Sequence, residues 1–262
     1  MSFQPILPIG GYAGWSLLSR TKAAQTAAFN ARPDMVNETE YFRDNIGAID
    51  TAEQLVDDRR LLRVALSAFG LSEDIDAKAF IKRILEDGSI SPDALANKLT
   101  DRRYQAFARA FGFGDLNVPN TKRDSTVAHM VNLYEQRSFE ASVGDIDDSF
   151  RLALNLDRGL ADIVGEDSSE AAKWFQIMGD APLRAVFERA LSLPKSFASL
   201  DIDQQLGVFE DRTKQVFGIT ELADFAAQDQ REKLIQRFLL MDQLDQSAVM
   251  SSTQIAVTLL AH

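Results

Sequence analysis

The chain has 262 residues and a mass of 29.1 kDa, with 28 Lys and Arg against 39 Asp and Glu, a formal net charge of −11 and a pI near 4.7. It contains no Cys and two His, which excludes a thiolate nucleophile, a disulfide, a Cys-ligated zinc or iron–sulfur centre and a His-rich metal site. A hydrophobic content of 45% and a charged content of 26% are those of a soluble globular chain, long enough to bury a core without covalent staples.

Every Lys, Arg, Asp and Glu lies between Arg20 and Asp245, so three segments are expected: an uncharged N-terminal arm (1–19), a body (20–245) and an uncharged tail (246–262). In the arm, Pro5, Pro8, Gly10, Gly11 and Gly14 predict irregular structure, while Phe3, Ile6, Leu7, Ile9, Tyr12 and Trp15 demand a surface to dock on. The glycine spacing matches neither the dinucleotide fingerprint nor the P-loop. In the body, Asp50 and Glu53 form an expected capping box ahead of Leu61, Leu62, Ala65, Leu66 and Phe69, and Gly70 ends that helix. Ser91 with Pro92 marks another start. Thr100 and Asp101 precede the stripe Tyr104, Phe107, Ala108, Phe111, which Gly112 closes. A further helix begins near Thr121. Later starts fall at Asp180 with Pro182, Asp201 with Gln204, and Thr220 with Glu221; stops fall at Gly88, Gly144, Gly179, Pro194 and Gly218. The sum is about ten helices and no clear strand, an all-α, multihelical single body. Arg63-Val64-Ala65-Leu66 echoes Arg151-Leu152-Ala153-Leu154, and Phe107, Arg109 and Ala110 align with Phe187, Arg189 and Ala190, which suggests a duplicated unit with halves near 50–120 and 138–218. In the tail, Ile255, Val257 and Leu259 alternate, as in a short strand or a partner-dependent helix.

The aromatic set, 17 Phe against 4 Tyr and 2 Trp, fits a core better than a base-stacking platform. The basic groups, Arg59, Arg60 and Arg63 and then Arg102 and Arg103, sit beside Asp57, Asp58 and Asp101, where local ion pairs are expected instead of a nucleic-acid face. His129 is the one interior His and lies in a helical stretch, unsuited to a Ser/His/Asp triad. The acidic clusters Asp145/Asp147/Asp148, Glu73/Asp74/Asp76 and Asp201/Asp203 precede helical runs and read as caps and dipole partners. From Asp145, the calcium-loop positions six and twelve are Phe150 and Leu156, so that motif fails. No catalytic residue, cofactor or metal ligand is expected. With no basic leader and no membrane-length apolar run, a cytoplasmic location is the default.

Three stretches carry a family resemblance. They are Leu7-Pro8-Ile9-Gly10-Gly11-Tyr12-Ala13-Gly14-Trp15; Tyr41-Phe42-Arg43 through Asp57-Asp58-Arg59-Arg60-Leu61-Leu62-Arg63-Val64-Ala65-Leu66 to Ala68-Phe69-Gly70-Leu71; and Arg103-Tyr104-Gln105-Ala106-Phe107 through Phe111-Gly112-Phe113-Gly114-Asp115. Together they resemble the domain of unknown function 1217 family, whose members are mostly alphaproteobacterial with genes among flagellar genes. The resemblance brings no catalytic residues. It implies an all-helical fold and a flagellar connection. The absence of Cys and of a cleaved signal and the apolar, irregular ends are also traits of proteins exported through the flagellar channel, so signal-less export through the flagellar apparatus stands as the alternative to the cytoplasmic default. The resulting expectation is a non-enzymatic protein-interaction component of flagellar assembly or motility, partnered by flagellar proteins or a second copy, with Ile9, Tyr12, Trp15, Ile255, Val257 and Leu259 as partner-binding residues. The competing expectation is an enzyme or ligand-binding protein with a carboxylate-lined pocket between the helical halves.

Overall fold

The structure, a computed structural model, describes residues 4–165 and 167–260, and the side chains of these as far as Ser247. Phe3 lies outside the described residues. The chain is 77% helical, with thirteen α-helices and no strand among the described residues, so the all-α expectation holds. The helices are α1 (Gly11–Asn30), α2 (Pro33–Ile46), α3 (Ala52–Asp57), α4 (Arg59–Phe69), α5 (Lys78–Asp87), α6 (Leu95–Lys98), α7 (Arg103–Phe111), α8 (Asp124–Gly144), α9 (Asp148–Val164), α10 (Glu170–Gly179), α11 (Ala181–Ala190), α12 (Ile202–Phe217) and α13 (Gln228–Leu260).

The chain divides into two compact units. Unit 1 comprises Met1–Ile6 and Thr21–Ser142, and unit 2 comprises Leu7–Arg20 and Val143–His262. The boundaries fall within α1 and α8, so they differ from the expected arm, body and tail. The reason lies in residues 7–20, whose large side chains pack as part of unit 2.

Unit 1 is built on phenylalanine. Phe42, Phe107, Phe111 and Phe139 are fully buried, and Phe107 meets Phe69 and Phe111 edge-on with centroids 5.5 and 5.1 Å apart. Each such ring stabilises the fold by about 1.5–3 kcal/mol through burial. The helix grammar is largely as expected, with local shifts. The capping box is Thr51 with Gln54, one residue beyond Asp50 and Glu53. Asp58 then breaks the run, so α3 and α4 are separate; its carboxylate accepts from the N–H groups of Arg60 and Leu61 and starts α4. Gly70 and Gly112 end α4 and α7 at φ +72 and +69, the left-handed conformation that glycine adopts without strain.

The Phe111-Gly112-Phe113-Gly114-Asp115 motif holds unit 1 together locally. Asp115 accepts from the backbone N–H and hydroxyl of Ser89 (2.8 and 2.9 Å) and from the N–H of Ile90 (3.1 Å). Gly114 lies flat against the 86–88 backbone: a Cβ there would collide with the Glu86 carbonyl and sit 2.6 Å from the Gly88 nitrogen.

Unit 2 repeats the aromatic strategy with Phe150, Trp174, Phe187, Phe209, Phe225 and Phe238. Trp174 stacks on Phe209 at 5.6 Å and meets Phe187 edge-on at 5.4 Å. Asp147, Ser169, Asp180 and Asp201 cap α9, α10, α11 and α12 through their side chains. On the buried side of α13 is its own Asp242, 4% exposed. It accepts from Ser149 Oγ (2.5 Å), Gln246 Nε2 (2.7 Å) and the Arg189 guanidinium, so its buried charge is paired and hydrogen-bonded.

Candidate functional site

The N-terminal segment departs most from expectation. From Gly11 onward it is helix, and its glycines are packing residues. Gly11, at φ +65, would drive a Cβ into Gln243 of α13. At Gly14, a Cβ would strike the Ile9 carbonyl and stand 2.8 Å from the Phe150 ring. Low helix propensity is overridden by the close approach of α9 and α13 that only glycine permits.

The candidate residues of this segment separate accordingly. Trp15 is 4% exposed, its ring 6.5 Å from that of Phe150 and its indole N–H donating to both Glu232 carboxylate oxygens (3.2 and 3.3 Å). It anchors unit 2 itself and is not presented to a partner. Tyr12 is half-buried, and Ile9 is 53% exposed. At the other end, α13 carries its helix through Ile255, Val257 and Leu259 to Leu260, so the backbone is helical and not extended; the side chains of these three lie outside the described ones. Before them, Leu240 and Leu244 are exposed, one turn apart on the same helix.

The charged clusters resolve into structural networks. Asp147/Asp148 and Asp201/Asp203 behave as expected, capping or flanking the first turns of α9 and α12. Glu73/Asp74/Asp76 do not: they form a 3-10 turn in which Asp74 accepts from the Tyr104 hydroxyl (2.8 Å) and Asp76 pairs with Arg59 (2.7 Å). Burial and the Asp74 carboxylate push the Tyr104 hydroxyl up to about 12. The expected pairing of Arg59 and Arg60 with Asp57 and Asp58 is also corrected. Arg60 reaches Glu38 (3.2 Å) and lies 3.8 Å over the Tyr41 ring, while Asp58 accepts from the Tyr41 hydroxyl (2.7 Å). Arg103 does pair with Asp101 (2.6 Å), and it donates to the Gly70 carbonyl at the end of α4. Arg63, Arg102 and His129 are exposed. Burial raises the Glu135 carboxyl above its usual value, against the pull of Arg43.

Among the described residues, no group of three or more His, Asp or Glu is placed to hold a metal ion, and no helix is long and apolar enough to cross a membrane. A depression of about 660 Å³ in unit 1 is lined by Asp57, Asp58, Arg59 and Arg60, of which three are engaged as above. In unit 2, a crevice of about 340 Å³ opens between the end of α11, the loop after it and α13. It combines apolar walls (Leu193, Pro194, Met241) with Arg189, Ser192, Lys195, Glu188 and Asp245. Nothing in the sequence drew these together, since they come from two helices some fifty residues apart.

The arrangement defines a cysteine-free, all-α protein whose motif glycines and acids build structure. Its family is the one described as Protein of unknown function (DUF1217), to which residues 68–249 match; the chain belongs to that family. It is also similar to the crystal structure of protein AGR_C_984 from Agrobacterium tumefaciens, with 27% identity and a TM-score of 0.76 over 92% of this chain and 99% of that one. Among curated proteins none matches.

Proposed function

We propose that the protein is a non-enzymatic interaction component linked to flagellar assembly or motility, an accessory part or an adaptor. The observation that carries the interaction reading is α13. Its first half is locked into unit 2 by Leu234, Ile235, Phe238 and Leu239, all buried. Leu240 and Leu244 are exposed on that helix, which then continues from Gln246 to Leu260 without a charged residue. A helical stretch rich in Ser, Thr and β-branched residues has little intrinsic stability, and the apolar surface of a partner supplies what propensity does not. The flagellar half of the reading rests on the gene setting that the family resemblance implies.

Two measurements test it. A strain lacking the gene is expected to swim poorly and to recover with the full chain but not with a chain ending at Asp245. Normal swimming of the deletion strain overturns the flagellar link. Full recovery by the shortened chain overturns the role given to the end of α13.

A further inference from the structure

Ser192 is the one non-glycine residue at positive φ among the described residues, at +54°. It closes the C-terminus of α11: the N–H of Leu193 donates to the Glu188 carbonyl (2.9 Å) and that of Ser192 to the Arg189 carbonyl (3.0 Å), the two-bond closure whose left-handed residue is ordinarily glycine. The chain itself shows the ordinary solution. In the echo that aligns Phe107, Arg109 and Ala110 with Phe187, Arg189 and Ala190, the residue opposite Ser192 is Gly112, at φ +69. Serine therefore stands at a strained position where glycine would be relaxed. Its hydroxyl does not repay the strain inside the fold, because it meets the Met241 sulfur at 3.4 Å, a weak acceptor.

That hydroxyl lines the 340 Å³ crevice of unit 2, whose volume is within the range of small-ligand sites. Of the four charged residues on its walls, three are held by the protein. Glu188 accepts from Arg184 (2.7 Å), Arg189 is bound by Asp242, and Asp245 lies 3.8 Å from Arg189. Lys195 has no ion pair among the described residues and is exposed. The walls thus present one unengaged ammonium and one under-used hydroxyl beside Leu193, Pro194 and Met241.

We infer that this crevice binds a carboxylate carried on a small apolar body, with Lys195 and Ser192 taking the carboxylate and the Leu193, Pro194 and Met241 wall the apolar part. A free aliphatic acid and the apolar C-terminal residue of a peptide share this chemistry. The site shares α13 with the proposed interaction stretch, its Met241 and Asp245 adjoining the exposed Leu240 and Leu244, but its test does not depend on motility.

The experiment is a titration of the full chain, followed by amide chemical shifts, with 4-methylpentanoate and N-acetyl-leucine and with the corresponding uncharged amides. At least one acid is expected to saturate in the millimolar range open to so small a ligand, with shifts centred on 185–198 and 241–245. The amides and the Lys195→Met variant are expected to bind about tenfold more weakly. Ser192→Gly is expected to raise the Tm by about 2–4 °C while weakening the acid severalfold, the signature of strain retained for a ligand. Tighter binding of N-acetyl-leucine identifies a peptide C-terminus; equal or tighter binding of 4-methylpentanoate identifies a free acid. The inference is overturned if neither acid saturates, if the amides bind as well as the acids, or if Ser192→Gly binds undiminished.

Discussion

Replacing Trp15 separates a side chain that holds unit 2 together from one that waits for a partner. The residue is 4% exposed and touches Phe150 and Glu232. Truncation to Ala removes a buried indole, for which large-to-small changes cost about 3–5 kcal/mol. The tilted contact with Phe150 contributes about 0.5–1.5 kcal/mol of that. Trp15→Phe keeps most of the apolar area and the ring contact and gives up the bond to Glu232. Since that bond is long and Glu232 is half-buried, its loss is set at about 1 kcal/mol. Urea unfolding followed by far-UV circular dichroism measures both, and the expected order is wild type, then Phe, then Ala, with Ala about 2–4 kcal/mol below Phe. A Trp15→Ala protein within about 1 kcal/mol of wild type, the level of an ordinary single substitution, would refute the packing argument and return Trp15 to the list of partner contacts.

Glycines give a paired test. Gly207→Ala, in the interior of α12 with nothing within 4 Å of its added methyl, is expected to stabilise by about 0.5–1 kcal/mol, whereas Gly114→Ala, against the 86–88 backbone, should lower the melting temperature by the equivalent of about 1–3 kcal/mol; a common sign for the two would contradict the reasoning. Asp115→Asn removes a charge that gathers three donors and is expected to cost about 1–3 kcal/mol, read as faster amide exchange at Ser89 and Ile90. For Asp58, partial burial works to raise the carboxyl, but the Tyr41 hydroxyl and the N–H groups of Leu61 and Arg60 prevail and hold it below its usual 3.8. A depressed folded value contributes stability that is present above the unfolded pKa and lost as pH falls through the folded one. Asp58→Asn should therefore lower the urea midpoint at pH 7 and flatten its fall below about pH 4; an unchanged acid limb would remove Asp58 as a contributor.

Helix ends were the most legible feature of the sequence. Gly70, Gly112 and Gly218 terminate helices in the left-handed conformation as expected, and Asp180 and Asp201 cap α11 and α12, because caps depend on residues within one turn. Thr220 and Glu221 instead precede only a 3-10 turn, and Ser91 with Pro92 leads no further than the four residues of α6. What depends on distant partners was not legible. Gly11 and Gly14 read as helix breakers until Gln243 and Phe150 are placed beside them, and Arg60 found Glu38, twenty-two positions back, in preference to its neighbours. The crevice at Ser192 was hidden for the same reason: its strain is a backbone angle, and its opposite wall comes from α13.

Asp242 carries one further consequence. Its carboxylate joins α9, α11 and α13 through Ser149, Arg189 and Gln246. Displacing α13 by one turn, about 5.4 Å, toward its C-terminus would put Phe238 or Leu239 among these donors, an apolar side chain where an anion is bonded, whereas the opposite displacement would bring Asp245 or Gln246 there. The buried charge therefore opposes slip of the helix in one direction more than in the other, as a pawl does. Since the uncharged run starts four residues later, that bias is carried into the whole final stretch.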